Sequence, residues 1–261
     1  MNRIADIGLH AQPKTRPANC DTHGDFESRC FIGNVWSKCP TCEAERTERE
    51  RIKAERTARE SRQAEWQKKI GQAGIPDRFQ GRTLDTFAAE NDGQQQALAF
   101  AQDYADNFDQ VLETGRSALF VGKPGTGKTH LACGIALQVM NEQGRTVFFT
   151  TVMRAIRRIK DTWAKGSHES ESQAIAALVF PDLLILDEVG VQFGSDFEKN
   201  ILFDVLNERY EKRRPTILMS NLPAGDVTAY LGERVVDRIR EDGGKLVPFT
   251  WESHRAKKVA A

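Results

Sequence analysis

The feature that most constrains this 261-residue chain is a glycine-rich segment between an apolar strand and an apolar helix. The segment Gly122-Lys123-Pro124-Gly125-Thr126-Gly127-Lys128-Thr129 directly follows the predicted strand Ala118–Val121. Glycines in such a loop let backbone N–H groups turn toward phosphate oxygens, at a helix N-terminus that favours negative charge. Lys128 is expected to reach the β- and γ-phosphates, and the Thr129 hydroxyl to ligate Mg²⁺. The segment therefore predicts a nucleoside triphosphate site.

A second apolar strand ends in two carboxylates, Asp187 and Glu188, after the run Leu183-Leu184-Ile185-Leu186. Continuous apolar strands are typical of parallel sheets covered on both faces, whose carboxyl ends carry the chemistry. We expect Asp187 to order the Mg²⁺ ion and Glu188 to polarise the water that attacks the γ-phosphate. The alternative is that Glu188 is only a solvated residue at the end of the strand. The pair favours ATP hydrolysis.

Composition limits the partners and the compartment. The chain has 37 basic residues (Lys and Arg) and 37 acidic residues (Asp and Glu), so its formal net charge is zero. Any contact with nucleic acid must therefore come from a local basic patch. No apolar run approaches the length of a membrane span, and the first residues lack the apolar core of a signal peptide. We expect a soluble, cytoplasmic protein without a membrane partner, with reduced thiols.

Four of the five cysteines lie near the N-terminus, and in a reducing compartment such a cluster indicates a metal site. Cys20-x₂-His23 and Cys39-x₂-Cys42 form two chelating pairs separated by 15 residues, a spacing typical of a zinc ribbon. Cys30 is left over and is an alternative to His23 as the fourth ligand. So small a segment cannot fold on apolar burial alone, whereas structural zinc supplies roughly 10–16 kcal/mol to such peptides.

The remaining pattern divides the chain into segments. From Glu43 to about Lys69 the sequence is rich in helix formers with interleaved positive and negative charges. This pattern predicts an exposed helix that serves as a spacer or, alternatively, docks a partner. From about residue 75 strands and helices alternate, which predicts an α/β domain with a parallel sheet flanked by helices. The predicted divisions are a flexible N-terminus (1–18), a zinc-binding module (19–42), the charged helical linker (43–73) and the ATPase domain (74–261). Strands are predicted at 117–121, 146–151, 183–187, 215–220 and 245–250.

The C-terminal third adds polar and basic residues in a distinctive order. Asn221 follows the apolar strand that begins at Thr216, and Arg234 and Arg238 lie four apart on one helical face. Trp251-Glu252-Ser253-His254-Arg255 follows near the end. With the phosphate loop and Asp187-Glu188, these segments closely resemble the AAA+ replication ATPases of the DnaC helicase-loader type, in the wider IstB-like group. The resemblance spans about residues 74–255.

The resemblance implies roles for these side chains. It implies an AAA+ fold, with Asn221 as sensor 1 and Arg255 as sensor 2 acting on its own nucleotide. Arg238 looks like the arginine finger that acts on the nucleotide of a neighbouring subunit, with Arg234 as its rival. A finger in trans implies self-assembly. Within the family a helical insertion after the second strand contacts single-stranded DNA, and the matching cations are Arg154, Arg157, Arg158 and Lys160, with Trp163 or Phe149 as a stacking face.

The preferred function is therefore ATP-dependent loading of a replicative hexameric, DnaB-like helicase onto single-stranded DNA, with the N-terminal module gripping the helicase. An IstB-type helper ATPase, which acts on duplex DNA with a transposase, is the alternative. A replication initiator of the DnaA kind requires a duplex-binding module after the ATPase. A metabolite kinase with the same phosphate loop is a further alternative, but it requires an arginine-rich lid and does not require Glu188. The implied cofactors are ATP, Mg²⁺ and Zn²⁺.

Overall fold

A computed structural model describes residues 14–32, 34–190 and 196–254. Its contacts divide the chain into two compact units, residues 1–66 and 67–261. Among the described helices there is none with both the length and the apolar character needed to cross a bilayer.

The first unit contains a small antiparallel sheet in the order β1-β2-β3 (Lys14–Cys20, Gly24–Ile32 and Val35–Trp36) and helix α1 (Pro40–Gln72), most of which belongs to this unit. Strand β1 pairs with β2 along its whole length, from Lys14 opposite Cys30 to Cys20 opposite Gly24. The prediction that residues 1–18 are a flexible terminus is therefore wrong for residues 14–18. Backbone pairing orders this polar segment, although it has no buried face. Residues 1–13 lie outside the described part of the chain.

Helix α1 matches the predicted charged helix, but it begins at Pro40 and so includes Cys42 in its first turn. Ion pairs three or four residues apart run along its surface, including Arg51 with Glu48 and Glu55. Such exposed pairs are screened by water and contribute little individually, so they support helix formation without supplying a core. Its last turns belong to the second unit, where Ile70 is buried.

The second unit is built on a parallel five-stranded sheet in the order β5-β6-β7-β4-β8. The strands are β4 (Ala118–Gly122), β5 (Val147–Thr151), β6 (Leu183–Asp187), β7 (Thr216–Ser220) and β8 (Lys245–Phe249). The helices are α2 (Asp92–Asp106), α3 (Phe108–Thr114), α4 (Lys128–Glu142), α5 (Val152–Asp161), α6 (Glu171–Val179), α7 (Asp196–Glu211), α8 (Ala224–Leu231) and α9 (Glu233–Arg240).

Helices cover both faces of this sheet. Leu119 and Val121 of β4 belong to a buried cluster that includes residues of α5, α6, α7 and α9. Successive strand residues face opposite sides, and Phe120 accordingly meets Phe100 of α2 with ring centroids 6.1 Å apart. The prediction of an α/β domain with a parallel sheet flanked by helices is confirmed.

A buried guanidinium fixes the starts of two strands. Arg209 of α7 is fully buried and donates to the Thr216 hydroxyl and to the carbonyl oxygens of four residues that precede β6 and β7. Burial lowers its pKa to about 9, so it stays charged at neutral pH. A buried charge is tolerated only when its hydrogen bonds are made. The carbonyl groups therefore stabilise the buried guanidinium, and Arg209 in turn fixes the positions of these carbonyl groups.

Candidate nucleotide-binding and metal sites

Where β4 ends and the phosphate loop begins, the backbone lies very close to the neighbouring strand β8. A Cβ atom at Gly122 would lie 2.1 Å from the Phe249 carbonyl oxygen, and the φ of Gly122 is 151°. At Gly127, which precedes the first residue of α4, φ is 98° and a Cβ atom would lie 2.6 Å from the Phe87 ring. Only glycine fits either position, because both the backbone conformation and the space exclude a side chain.

Lys128 occupies the first turn of α4 with its side chain folded over the loop. Its Nζ donates to the carbonyl oxygens of Gly122 (2.6 Å) and Lys123 (2.9 Å), and the residue is 5% exposed. The ammonium group is thus held beside the loop, where it can exchange these carbonyls for phosphate oxygens.

The two predicted magnesium ligands are neighbours. Thr129 Oγ1 donates to Asp187 Oδ2 at 3.3 Å, and the backbone N–H of Glu188 donates to Asp187 Oδ1 at 2.7 Å. Burial raises the pKa of Asp187, although the hydrogen bonds from Glu188 and Thr129 and the charge of Lys128 oppose the shift. A hydroxyl and a desolvated carboxylate at the carboxyl end of a strand fit Mg²⁺, whose charge would offset the desolvation.

Glu188 and Asn221 come together because the chain just beyond the end of β6 is still bonded to the last residues of β7. Val189 N donates to Met219 O (2.9 Å), and Ser220 Oγ donates to Val189 O (2.7 Å). Glu188 has a positive φ of 62°, an uncommon conformation for a side chain of this type. Both Glu188 and Asn221 line the cavity that contains the phosphate loop, as their predicted roles require.

This cavity has a volume of about 350 Å³, within the range of small-molecule sites. Its lining also includes His254, which belongs to the C-terminal motif but had no predicted role, and four residues that no motif indicates: Arg78, Phe79, Arg82 and His130. His130 Nε2 donates to Thr83 O at 2.9 Å, which fastens the segment before α2 to helix α4. The one signal in the sequence was the pair of arginines four residues apart after Pro76, and no motif connects that pair to the loop.

The three arginines predicted as sensor 2 and as the arginine finger differ in their surroundings. Arg255 lies outside the described residues. Arg234 is exposed on α9, whereas Arg238 is half-buried, hydrogen-bonded to Asn207 and placed 4.5 Å over the Tyr210 ring.

The position of Arg238 relative to the sheet is informative. It shares a cavity with Ser117 and Thr216, at the amino ends of β4 and β7, whereas the phosphate loop follows the carboxyl end of β4. Five strand residues span about 17 Å. Arg238 therefore lies at the edge of the sheet opposite its own nucleotide site.

The predicted DNA-contacting cations lie on α5, whose buried face consists of Val152, Ala155, Ile156 and Ile159. Arg154 and Arg157 are exposed and line a cavity of about 240 Å³. Arg158 lines it too but is paired with Glu169 at 2.6 Å, while Lys160 is exposed elsewhere on the helix. Trp163 is 51% exposed, and its indole N–H donates to Glu171 Oε2 at 2.8 Å. Phe149 is only 4% exposed, so the prediction that it offers a stacking face is wrong.

In the first unit, the ligand atoms of Cys20, His23, Cys39 and Cys42 all lie within 4.8 Å of one another. His23 Nδ1 is 3.2 Å from Cys42 Sγ and 3.8 Å from Cys39 Sγ, and the Cys20 and Cys42 sulfurs are 3.5 Å apart. A tetrahedron with zinc–sulfur bonds of about 2.3 Å has edges of about 3.8 Å, so the donor set fits zinc. Cys30 is buried and is not part of this group.

The other side of the His23 ring is also bonded, since Nε2 lies 3.0 Å from Glu45 Oε1 on α1. A carboxylate that accepts the second ring N–H fixes the tautomer that leaves Nδ1 free to bind a metal. Hydrogen bonds from the backbone of Thr22 and His23 lower the pKa of Cys20 to about 6. A thiolate is the form that a metal requires, and the lowered pKa of Cys20 favours it, whereas the hydrogen bond with Cys20 raises the pKa of Cys42 to about 11.

Comparison with known proteins agrees with this geometry. A profile of the IstB-like ATP-binding protein family matches residues 48–260. The chain belongs to this family. It is 35% identical over 206 residues to the replicative helicase loader DnaC of Escherichia coli strain K12, covering 79% of this chain and 82% of that protein. The protein YdaV of the same strain is 32% identical over 208 residues, covering 79% of this chain and 81% of YdaV.

Solved structures show the same fold for the IstB-like core. The crystal structure of the DnaC helicase loader superposes with a TM-score of 0.59 and 27% identity, covering 66% of this chain and 99% of that one. The crystal structure of DnaI gives a TM-score of 0.57 at 20% identity, covering 70% and 99%. The resemblance to DnaC-type AAA+ proteins found in the sequence is confirmed.

The metal site gives a first prediction. Protein purified under reducing conditions is expected to contain about one zinc ion per chain, measured by elemental analysis. Cys39→Ser combined with Cys42→Ser removes two of four ligands and should abolish zinc binding. Cys30→Ser is the matched control and should retain the metal. Zinc loss from Cys30→Ser, or full retention by the double variant, would contradict the assignment of the four ligands.

The raised pKa of Asp187 gives a second prediction. At neutral pH the folded protein holds a desolvated carboxylate, so Asp187→Asn should raise the thermal midpoint of the nucleotide-free protein by about 2–4 °C. As the pH falls through the raised pKa, wild-type Asp187 becomes protonated and the desolvation cost disappears. The advantage of the variant should therefore shrink at acidic pH, as measured by thermal unfolding at both pH values.

A matched control is available at Asp182. Burial alone would raise its pKa, but hydrogen bonds from Thr146 and from Arg214 keep the pKa lowered. Asp182→Asn should therefore lower the thermal midpoint at neutral pH, and the loss should diminish in acid. The account of Asp187 fails if the two variants change stability in the same direction.

Proposed function

We propose that this protein is an ATP-dependent loader that delivers a replicative hexameric helicase onto single-stranded DNA. The observation that carries the proposal is the 35% identity to the DnaC loader over 79% of the chain, together with the nucleotide-site residues gathered around one cavity. The related structures and the family profile support an ATP-binding AAA+ core.

The ATPase reaction uses groups at one edge of the sheet. The N–H groups of the phosphate loop and Lys128 bind the triphosphate, and Mg²⁺ held by Thr129 and Asp187 would neutralise the charge on the phosphate oxygens. Glu188 lines the same cavity and is proposed to accept a proton from the attacking water. Asn221 lines the same cavity and is suited to orient that water or the γ-phosphate.

Hydrolysis is completed by a neighbouring subunit. Because Arg238 lies at the opposite edge of the sheet from its own phosphate loop, a role in catalysis requires that it act on another copy of the chain. Asn207 and Tyr210 hold its guanidinium in place, while Arg234, one turn earlier, is the exposed alternative. Arg255 is proposed to act as sensor 2 on the nucleotide of its own subunit.

This proposal predicts complementation between two inactive variants. Lys128→Ala should not bind ATP, and Arg238→Ala should bind ATP but hydrolyse it about 10³-fold more slowly. A mixture should regain activity, because an intact Arg238 from one subunit meets an intact loop from the other. Steady-state phosphate release measures this, with the Arg234→Ala variant testing the rival.

Two results would contradict a finger in trans. One is a mixture no more active than its components. The other is a wild-type specific activity that does not change with protein concentration, since an activity that depends on assembly must fall on dilution.

Single-stranded DNA is proposed to bind along the exposed cations of α5. Arg154 and Arg157 face a cavity large enough for a phosphate, and Trp163 offers a ring on which a base can stack. The pairing of Arg158 with Glu169 makes it a weaker candidate. Binding should weaken with salt, at a log–log slope of about −0.7 for each phosphate contacted.

The zinc-binding module is proposed to bind the helicase. A four-ligand metal site with no ligand position left open is structural, so its contribution is a defined surface rather than chemistry. The charged helix α1 connects the module to the ATPase unit and has almost no buried side chains of its own.

The experiment that tests the loader function is co-expression with the replicative hexameric helicase of the same organism, followed by size-exclusion chromatography with ATP and Mg²⁺. A co-eluting complex is expected, and Cys39→Ser with Cys42→Ser should lose it, whereas Cys30→Ser should keep it.

One outcome would replace the proposal. If no complex forms and the protein instead binds duplex DNA in an ATP-dependent way, the function is that of an IstB-type helper of transposition.

A further inference from the structure

Two donors in the C-terminal segment contact two consecutive carbonyl groups of the phosphate loop. Trp251 Nε1 donates to Thr126 O at 2.8 Å, and the backbone N–H of His254 donates to Gly125 O at 3.0 Å. Trp251 follows strand β8 in sequence, so the contacts join segments more than 120 residues apart, from outside the loop.

These contacts determine where the loop N–H groups point. In a trans peptide the C=O and the following N–H are coplanar and point in opposite directions. A donor that fixes the carbonyl of Thr126 therefore directs the N–H of Gly127 away from Trp251. The His254 contact does the same for the N–H of Thr126. A loop that binds phosphate needs its N–H groups turned to one side and its carbonyls to the other.

Two other carbonyls of the loop, those of Gly122 and Lys123, take their donors from side chains of the loop itself. Lys128 Nζ donates to Gly122 O and Lys123 O, and Thr126 Oγ1 donates to Lys123 O at 2.8 Å. In contrast, the carbonyls of Gly125 and Thr126 take their donors from the C-terminal segment. When Lys128 moves to phosphate oxygens, its two hydrogen bonds to loop carbonyls are lost. The bonds from Trp251 and His254 come from groups outside the loop, so they do not depend on the position of Lys128.

The indole is itself fixed by the fold. Its ring lies 4.9 Å from the ring of Phe249, which pairs with Gly122 in the parallel ladder between β8 and β4. On another side it packs against the first turn of α2, where a Cβ atom at Gly93 would lie 3.2 Å from the indole. The N–H donor therefore has one position relative to the loop.

We propose that Trp251 is a positioning residue for nucleotide binding, whose indole N–H holds the Thr126 peptide in the orientation that presents the loop N–H groups to the phosphates. The inference rests on nucleotide binding at the loop and does not depend on helicase loading. It assigns to the C-terminal segment a role in shaping the phosphate site that is separate from that of Arg255.

The test compares Trp251→Phe, which keeps an aromatic ring and loses the donor, with Trp66→Phe, the same change on helix α1. Affinities for ATP and ADP with Mg²⁺ are measured by displacement of a fluorescent nucleotide, and thermal unfolding is measured without nucleotide. Trp251→Phe should weaken ATP and ADP binding by about 3- to 10-fold each, the effect of one lost hydrogen bond. Trp66→Phe should bind both nucleotides as the wild type does.

AMP separates positioning from packing. AMP lacks the β- and γ-phosphates and so contacts fewer of the loop N–H groups, and Trp251→Phe should weaken AMP binding less than ATP and ADP binding if the indole acts through the loop. Equal weakening of all three nucleotides would instead indicate a general loss of packing and would overturn the proposal. Unchanged ATP and ADP affinities would overturn it too, and nucleotide binding itself would then stand. If wild-type protein bound no nucleotide, both the inference and the ATPase function would fail.

Discussion

The nucleotide site depends on the parallel pairing of β7 between β4 and β6. Because parallel strands end at one edge, this order places the phosphate loop at the end of β4, Asp187 and Glu188 at the end of β6 and Asn221 after β7 around one cavity. The buried guanidinium of Arg209 secures the opposite edge, where β6 and β7 begin. A change that separated these strands would dismantle the site even with every catalytic side chain intact.

The sheet also separates two kinds of group by about the length of a strand. Groups that bind and activate the nucleotide occupy its carboxyl edge, while Arg238 occupies its amino edge. In the proposed mechanism, a single subunit therefore holds both halves of a composite site but cannot bring its own halves together. Under that proposal the separation is a physical reason for assembly, and assembly would link hydrolysis to the binding of partners.

The sequence was informative where function resides in short local patterns. The phosphate loop, Asp187-Glu188 and the two metal-binding pairs are compact motifs, and the structure brings each set together. Strand β1 was missed because neither of its faces is buried, so it shows no alternation. Trp251 and Arg78 could not be assigned, because the hydrogen bond of Trp251 to the loop and the place of Arg78 in the same cavity bring together residues far apart in sequence. Such contacts arise from packing, to which periodicity and spacing give no access.

The most direct test of the loader function is transfer of the hexameric helicase onto a closed circle of single-stranded DNA, which has no end for a ring to thread. The measurement is the amount of helicase that co-sediments with the circle when ATP is present. Helicase is expected to accumulate on the circle only when this protein is added, and Arg154→Glu with Arg157→Glu should prevent the transfer. Equal amounts of helicase on the circle with and without the protein would contradict the loader function.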